Sequence, residues 1–254
     1  MCLILLAWRC HPEYPLIVAA NRDEFYRRST AAAHWWPEQP DLLAGRDLEA
    51  QGTWMGMTRS GRFAAVTNVR EPQLAVPAAR SRGELTCGYL GSDTETQDYA
   101  RQLQKTSDLY SGYNLLYGSQ NGLTYYSNRL SAPLALKPGL YGLSNAQLDT
   151  PWPKVQQGKA QLQALLARSE FETSDLLRIL DDSRLFPDEL LPATGVSLER
   201  ERQLSALRIS GTDYGTRSST ALLVNRRGQV IFHEKNLAPE PTSDIRFSFA
   251  LRSS

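Results

Sequence analysis

Residues 1–24, MCLILLAWRCHPEYPLIVAANRDE, decide how the rest of the chain is read. Leu3–Trp8 is apolar at every position, and so is Leu16–Ala20, the pattern of strands covered on both faces. Cys10-His11-Pro12-Glu13-Tyr14-Pro15 between them is a turn. Two antiparallel strands of about six residues joined in this way bring the end of the second back beside the start of the first. Asp23 is therefore expected near Cys2.

Cys2 is the chemical interest of the hairpin. A small side chain at position 2 favours removal of the initiator methionine, which would leave Cys2 as the amino-terminal residue. An α-amine titrates near 7.7–8 and a thiol near 8.5, so such a residue carries its own base as well as its nucleophile. By itself, an unpaired cysteine is more often a small buried hydrophobe.

The blocks that follow make the chemical reading specific. Ala19-Ala20-Asn21-Arg22-Asp23-Glu24-Phe25 is followed by Gly52-Thr53-Trp54-Met55-Gly56, Ala64-Ala65-Val66-Thr67-Asn68 and Arg82-Gly83-Glu84-Leu85. Tyr141-Gly142-Leu143-Ser144-Asn145, Thr150-Pro151-Trp152 and Tyr214-Gly215-Thr216-Arg217 complete the set. Together and in this order they resemble the transport-and-Golgi-organisation family, also named for its NRDE tetrapeptide, along nearly the whole chain.

That resemblance implies an N-terminal-nucleophile (Ntn) hydrolase-like fold, a four-layer αββα sandwich of two mainly antiparallel sheets, as a single domain over residues 1–254. A more distant similarity to choloylglycine and penicillin acylases implies site roles. Cys2 matches the nucleophile, Asp23 the aspartate that orients the amine, Asn68 and Asn145 the two asparagines, and Arg217 the arginine. Those acylases carry an arginine three residues before the aspartate, where this chain has Ala20; its nearest arginine is Arg22. In a regular strand positions 20 and 22 share a face.

Each of these residues also has a bland reading: Asp23 and Asn68 as strand-end turn residues, Asn145 as a cap, Arg217 as a salt-bridge partner of Asp213. Arg22, Trp54 and Arg82 are candidate substrate-binding residues. Trp35 and Trp36, in His34-Trp35-Trp36-Pro37, are candidates to wall a ligand pocket or simply to cover the core.

Composition narrows the partners. Lys+Arg 28 against Asp+Glu 27 leaves a formal charge of +1, no footprint for nucleic acid. Three cysteines without CxxC or Cys/His spacing suggest neither a disulfide framework nor a metal site, and no cofactor is implied. No run approaches the roughly eighteen apolar residues of a membrane span, and the expectation is a soluble, cytoplasmic protein.

The expected activity is cleavage of a C–N amide bond in a small or lipid-like acyl substrate. The alternative, also implied by the resemblance, is a non-catalytic carrier of haem or lipid.

Period and turn signals lay out the remainder. Residues 27–50 read as irregular. Hairpins are expected around Arg59-Ser60-Gly61 and Gln120-Asn121-Gly122, and helices from Gly83, from the capping-box spacing at Ser92–Glu95, from Thr150-Pro151 and from Thr173. Residues 183–213 read as a long loop with one helical turn, and three strands (Thr220–Asn225, Val230–Glu234, Ile245–Leu251) close the chain.

Overall fold

The computed structural model describes residues 2–74, 78–238 and 243–252. Met1, whose removal the sequence suggests, and part of the 69–82 loop lie outside them. The chain is α+β, with two antiparallel sheets and helices. It divides into two compact units, Met1–Arg27 with Arg70–Gln73 and Pro138–Phe249, and Arg28–Val69 with Leu74–Lys137 and Ala250–Ser254. Among the described residues no helix is long and apolar enough to cross a membrane.

The first unit is built on β1 (Cys2–Trp8) and β2 (Leu16–Phe25). They pair from Cys2↔Arg22 to Trp8↔Leu16, and all seven residues of β1 are buried. Strands β10 (Gly139–Leu143), β11 (Tyr214–Val224), β12 (Gln229–Asn236) and β13 (Ser243–Ala250) complete a six-stranded sheet in the order β10-β1-β2-β11-β12-β13. The opening hairpin is thus flanked on both sides. Alternation then sorts its side chains: Leu3, Leu5, Ala7, Ile17 and Ala19 pack with Val155 and Leu162 of α3 (Pro153–Leu166) and Leu176 and Leu180 of α4 (Thr173–Leu180). Each such leucine contributes about 1.5–3 kcal/mol by leaving water. Close approach of α3 to β1 depends on Gly158, where a Cβ would lie 2.8 Å from the Leu5 methyls.

The Thr150-Pro151 start expected for α3 falls two residues early. Trp152 is the cap and Pro153 holds the first turn, while the Thr150 hydroxyl closes a turn on the Gln147 carbonyl. A full capping box forms instead at α4, between Glu172 and Asp175, with acidic residues where Ser or Thr is the usual signal. Within 183–213 a 3-10 turn forms at Asp188–Leu190 and a short α-helix, α5 (Leu198–Gln203), follows, capped by Ser197. Strand β11 begins at Tyr214, six residues before the apolar run that announces it: Thr216, Ser218 and Ser219 are buried in the ladder, with the Thr216 hydroxyl donating to Asp23 and the Ser219 hydroxyl to Asn21.

The second unit is a seven-stranded meander in chain order, β3 (Thr30–Trp36), β4 (Gln39–Asp47), β5 (Met55–Thr58), β6 (Phe63–Asn68), β7 (Tyr113–Ser119), β8 (Gly122–Ser127) and β9 (Leu134–Ala135). Helices α1 (Gly83–Leu90) and α2 (Thr96–Thr106) pack on it through Leu85, Tyr89, Tyr99 and Leu103. The irregular stretch read at 27–50 is the β3–β4 hairpin. Its register shifts twice, between Ala31 and His34 and between Trp35 and Trp36, which breaks the period-two pattern a sequence reading relies on. α2 starts at Thr96 with Glu95 as its cap residue and no capping side chain, so the Ser92–Glu95 spacing is not a capping box.

Candidate active site

The strand ends carrying NRDE divide its four side chains between structure and chemistry. Asn21 is a tie: its amide donates to the carbonyls of Leu180 (3.0 Å) and Leu207 (2.8 Å) and accepts from Ser219 (2.6 Å). Arg22 stands directly opposite Cys2 in the ladder, so the two share a sheet face. Asp23 is one residue on, 1 % exposed, and accepts the Thr216 hydroxyl at 2.7 Å, with the Tyr214 hydroxyl on its carbonyl. Glu24 accepts the N–H of Phe25 and stays at the rim.

Cys2 itself is 7 % exposed. Burial pushes its thiol above the ordinary range and the Asp23 charge adds to this, while Arg22 and a backbone hydrogen bond from Asp23 act the other way. On its other side β10 pairs with β1 and delivers Ser144 and Asn145. The Ser144 hydroxyl lies 3.1 Å from both the Cys2 carbonyl and Asn145 Oδ1, and one proton serves the two. The Asn145 carbonyl in turn accepts the Arg70 N–H at 2.7 Å.

Arg217 occupies the extra position of a β-bulge, where Thr216 faces Asp23 and Ser218 faces Arg22. Its guanidinium donates to the carbonyls of Phe25 (3.2 Å) and Tyr26 (2.5 Å). Those contacts tie down the outgoing end of β2, and the Arg22 charge is among those that act on Cys2.

The other candidates belong to the second unit. Asn68 ends β6, its amide on the Val69 carbonyl at 3.3 Å. Arg82 donates to the Gly112 carbonyl at 3.2 Å. Trp36 is 2 % exposed in the core of that unit, with its indole N–H on Ala44 O, and Trp54 is partly buried against the same cluster. Trp35 is half-buried beneath the Arg59 guanidinium, 3.7 Å from its ring centroid. Trp36 is thereby committed to the core of the second unit, and both tryptophans sit in a strand, β3, where a loop is expected.

Three buried charges that the sequence reading does not single out, Arg70, Glu201 and Lys154, lie with Asp23 in the first unit. Arg70 pairs with Glu201 at 2.7 Å, both side chains nearly inaccessible, and stacks 4.6 Å over Trp152. Glu201 also accepts the Thr194 N–H and hydroxyl. Lys154, in the first turn of α3, is 1 % exposed and is pushed down to about 8 by burial, against the pull of Asp23. Asp23 is pushed up by burial and drawn down by Lys154, then by Thr216 and Arg70. Arg70, Trp152, Lys154, Glu201 and Ser205 line a cleft of about 210 Å³, part of it open to solvent.

One signal for Lys154 is present in the sequence: a cation in the first turn of a helix opposes the macrodipole, so a lysine directly after Trp-Pro needs another reason to be there. Among the described residues no three His, Cys, Asp or Glu side chains come together as a metal-holding group.

The chain matches the family model described as Transport and Golgi organisation 2 over residues 1–239. It is 38 % identical to a Transport and Golgi organization protein 2 homolog from Bos taurus, over 95 % of each chain. Among solved structures it resembles the Caenorhabditis elegans N-acylethanolamine-hydrolyzing acid amidase ortholog, with TM-score 0.51, 11 % identity, and 87 % of this chain against 92 % of that one. It also resembles a variant of the conjugated bile acid hydrolase from Clostridium perfringens, with TM-score 0.55, 7 % identity, and 98 % of this chain against 92 % of that one. At such identities the likeness is one of fold, that of the Ntn hydrolases.

Proposed function

Because this chain belongs to the Transport and Golgi organisation 2 family and folds like Ntn hydrolases, we propose that it is an N-terminal cysteine amidohydrolase acting on the C–N amide bond of a small or lipid-like acyl substrate. The observation that carries this reading is the position of Cys2 at the very end of β1, opposite Arg22 and next to Asp23 and Ser144-Asn145. The amides named in the two fold relatives, N-acylethanolamines and conjugated bile acids, set the substrate class to try first.

In this mechanism removal of Met1 frees the Cys2 α-amine, which accepts the thiol proton as sulfur attacks the acyl carbon. A resting thiol held protonated by burial suits a base that acts only during attack. In this reading a side-chain amide donates to the oxyanion, Asn68 by the resemblance, a contribution worth about 3–4 kcal/mol where it has been removed elsewhere, and Asn145 orients the amine or the substrate carbonyl. Collapse breaks the C–N bond; the amine leaves with the proton, and a thioester remains on Cys2. Water then hydrolyses the thioester, releasing the carboxylic acid and restoring the thiol. Asp23 orients the amine throughout.

The test uses protein whose mass shows Cys2 at the terminus, offered N-acyl amides of graded chain length. Wild type is expected to release amine and acid in equal amounts, and Cys2→Ala and Cys2→Ser to release neither while melting at the wild-type temperature. Retention of Met1 in native material, or turnover that survives in Cys2→Ala, overturns the reading.

A further inference from the structure

The bulge in β11 decides which side chain faces Asp23. Ser219 pairs with Asn21 and Ser218 with Arg22, so an unbroken ladder would set Arg217 opposite Asp23. The extra residue shifts the register, and Thr216 stands there instead. Directly opposed residues have their Cβ atoms about 4.5–5.5 Å apart on one sheet face, close enough for an arginine and an aspartate to form an ion pair. Arg217 is turned instead to the carbonyls of Phe25 and Tyr26.

In exchange Asp23 receives a neutral donor that is itself held fast. Thr216 is 2 % exposed and is bound to Ile209 in both directions: its N–H donates to the Ile209 carbonyl at 2.8 Å, and its hydroxyl oxygen accepts the Ile209 N–H at 2.9 Å. The hydroxyl proton goes to Asp23 Oδ1 at 2.7 Å. Ser219 does the same for Asn21 at 2.6 Å. Asn21 and Asp23 are two residues apart and share a face, whereas their hydroxyl partners are three apart; the bulge absorbs the difference.

We infer that Thr216 is a positioning residue of the Cys2 site, set opposite Asp23 by the bulge at Arg217 so that a hydroxyl holds the carboxylate and its charge is kept for the amino group of Cys2. The inference rests on the amidohydrolase reading for its purpose, and its physical content is the hydrogen bond from Thr216 to Asp23. An arginine in that place would neutralise the carboxylate. A hydroxyl orients it without doing so, and a carboxylate has about four acceptor sites, enough for Thr216 and an amine together. With the donor removed, the burial that raises the Asp23 carboxyl meets less opposition, and the group takes up a proton at higher pH. A protonated Asp23 no longer attracts an ammonium, and the amine loses its orientation.

The test compares wild type, Thr216→Val, which keeps the shape and loses the donor, and Thr216→Ser, which keeps the donor, in the full-length chain. NMR follows the ¹³C carboxyl signal of Asp23, identified by its loss in Asp23→Asn. Its midpoint is expected to rise by at least about one pH unit in Thr216→Val, a tenfold change in proton affinity, and to return towards the wild-type value in Thr216→Ser. The cations acting on Asp23, Lys154 of α3 and Arg70, and the titratable Cys2 and Tyr214 on which it acts, are the same in all three proteins, so the shift reports the hydroxyl. If Thr216→Val does not fold, wild type still decides: the ¹H shift of the buried Thr216 hydroxyl is expected to change with the midpoint of Asp23, and a hydroxyl signal indifferent to that titration overturns the inference. With an amide that wild type cleaves, Thr216→Val should lower kcat about tenfold with little change in KM, and Thr216→Ser should restore it; a merely structural role would lower the amount of folded protein and leave its kcat unchanged. An Asp23 midpoint that ignores the loss of the hydroxyl overturns the inference even if wild type cleaves amides. A midpoint that moves in a protein that cleaves none upholds the bond between Thr216 and Asp23 and removes the hydrolase.

Discussion

Arg22 lies directly across the β1–β2 ladder from Cys2, one residue before the buried Asp23. Two positions earlier on the same strand, Ala20 stands opposite Ile4. Ala20 and Arg22 share a sheet face, and Arg22 is the one level with Cys2.

If that charge favours the thiolate, Arg22→Met should push the Cys2 thiol further above the ordinary range. The rate of Cys2 alkylation by iodoacetamide at pH 7.5, followed by peptide mapping, is expected to fall several-fold. Arg217→Met should change it far less, because the Arg217 guanidinium is engaged with the Phe25 and Tyr26 carbonyls. Equal effects of the two would reverse this assignment.

The Arg70–Glu201 pair has both side chains nearly inaccessible. Glu201→Ala leaves a buried guanidinium without its partner and should cost about 3–5 kcal/mol in urea unfolding. Arg70→Met/Glu201→Leu removes both charges and should recover much of that loss. A double variant as unstable as the single one would mean that packing on Trp152, and not charge, is what the pair supplies.

Lys154 makes stability depend on pH in a defined window. Its folded value of about 8 lies below the usual 10.5, so between these the unfolded chain binds more protons than the folded one. Stability from this group therefore rises with pH from about 8 to about 10.5; below 8 both states are protonated and the burial penalty is fully present. The total change is on the order of 3 kcal/mol. Urea unfolding of wild type between pH 7 and 10 should show this upward slope relative to Lys154→Met, whatever the offset between the two curves. Parallel curves would place the ammonium in a less costly environment than its burial indicates.

Trp36 separates a core residue from a ligand wall. With its ring in the core of the second unit and its N–H on Ala44, Trp36→Ala should cost about 3–5 kcal/mol, while Trp35→Ala, half-buried under Arg59, should cost much less. Titration of haem by absorbance into wild type and Trp35→Ala then tests the carrier alternative without the complication of unfolding. Saturable one-site binding lost in Trp35→Ala would favour a carrier.

Much of this protein is legible in residues 1–25 alone. Apolar runs on both sides of a proline-bounded turn require a covered hairpin, and the hairpin in turn places position 22 or 23 beside position 2; these are local consequences of chain geometry. Glycine turns at Gly61 and Gly122 set two more hairpins in the same local way. What the sequence did not disclose depends on burial. The β3–β4 hairpin hides behind two register shifts, and the polar start of β11 is a strand only because its hydroxyls find partners across the sheet. Nothing in the sequence marks Arg70 or Glu201 as buried, and Lys154 carries only the signal of a cation in a first helical turn. Only tertiary structure removes them from water, and a charge acquires its influence on a site once solvent no longer screens it.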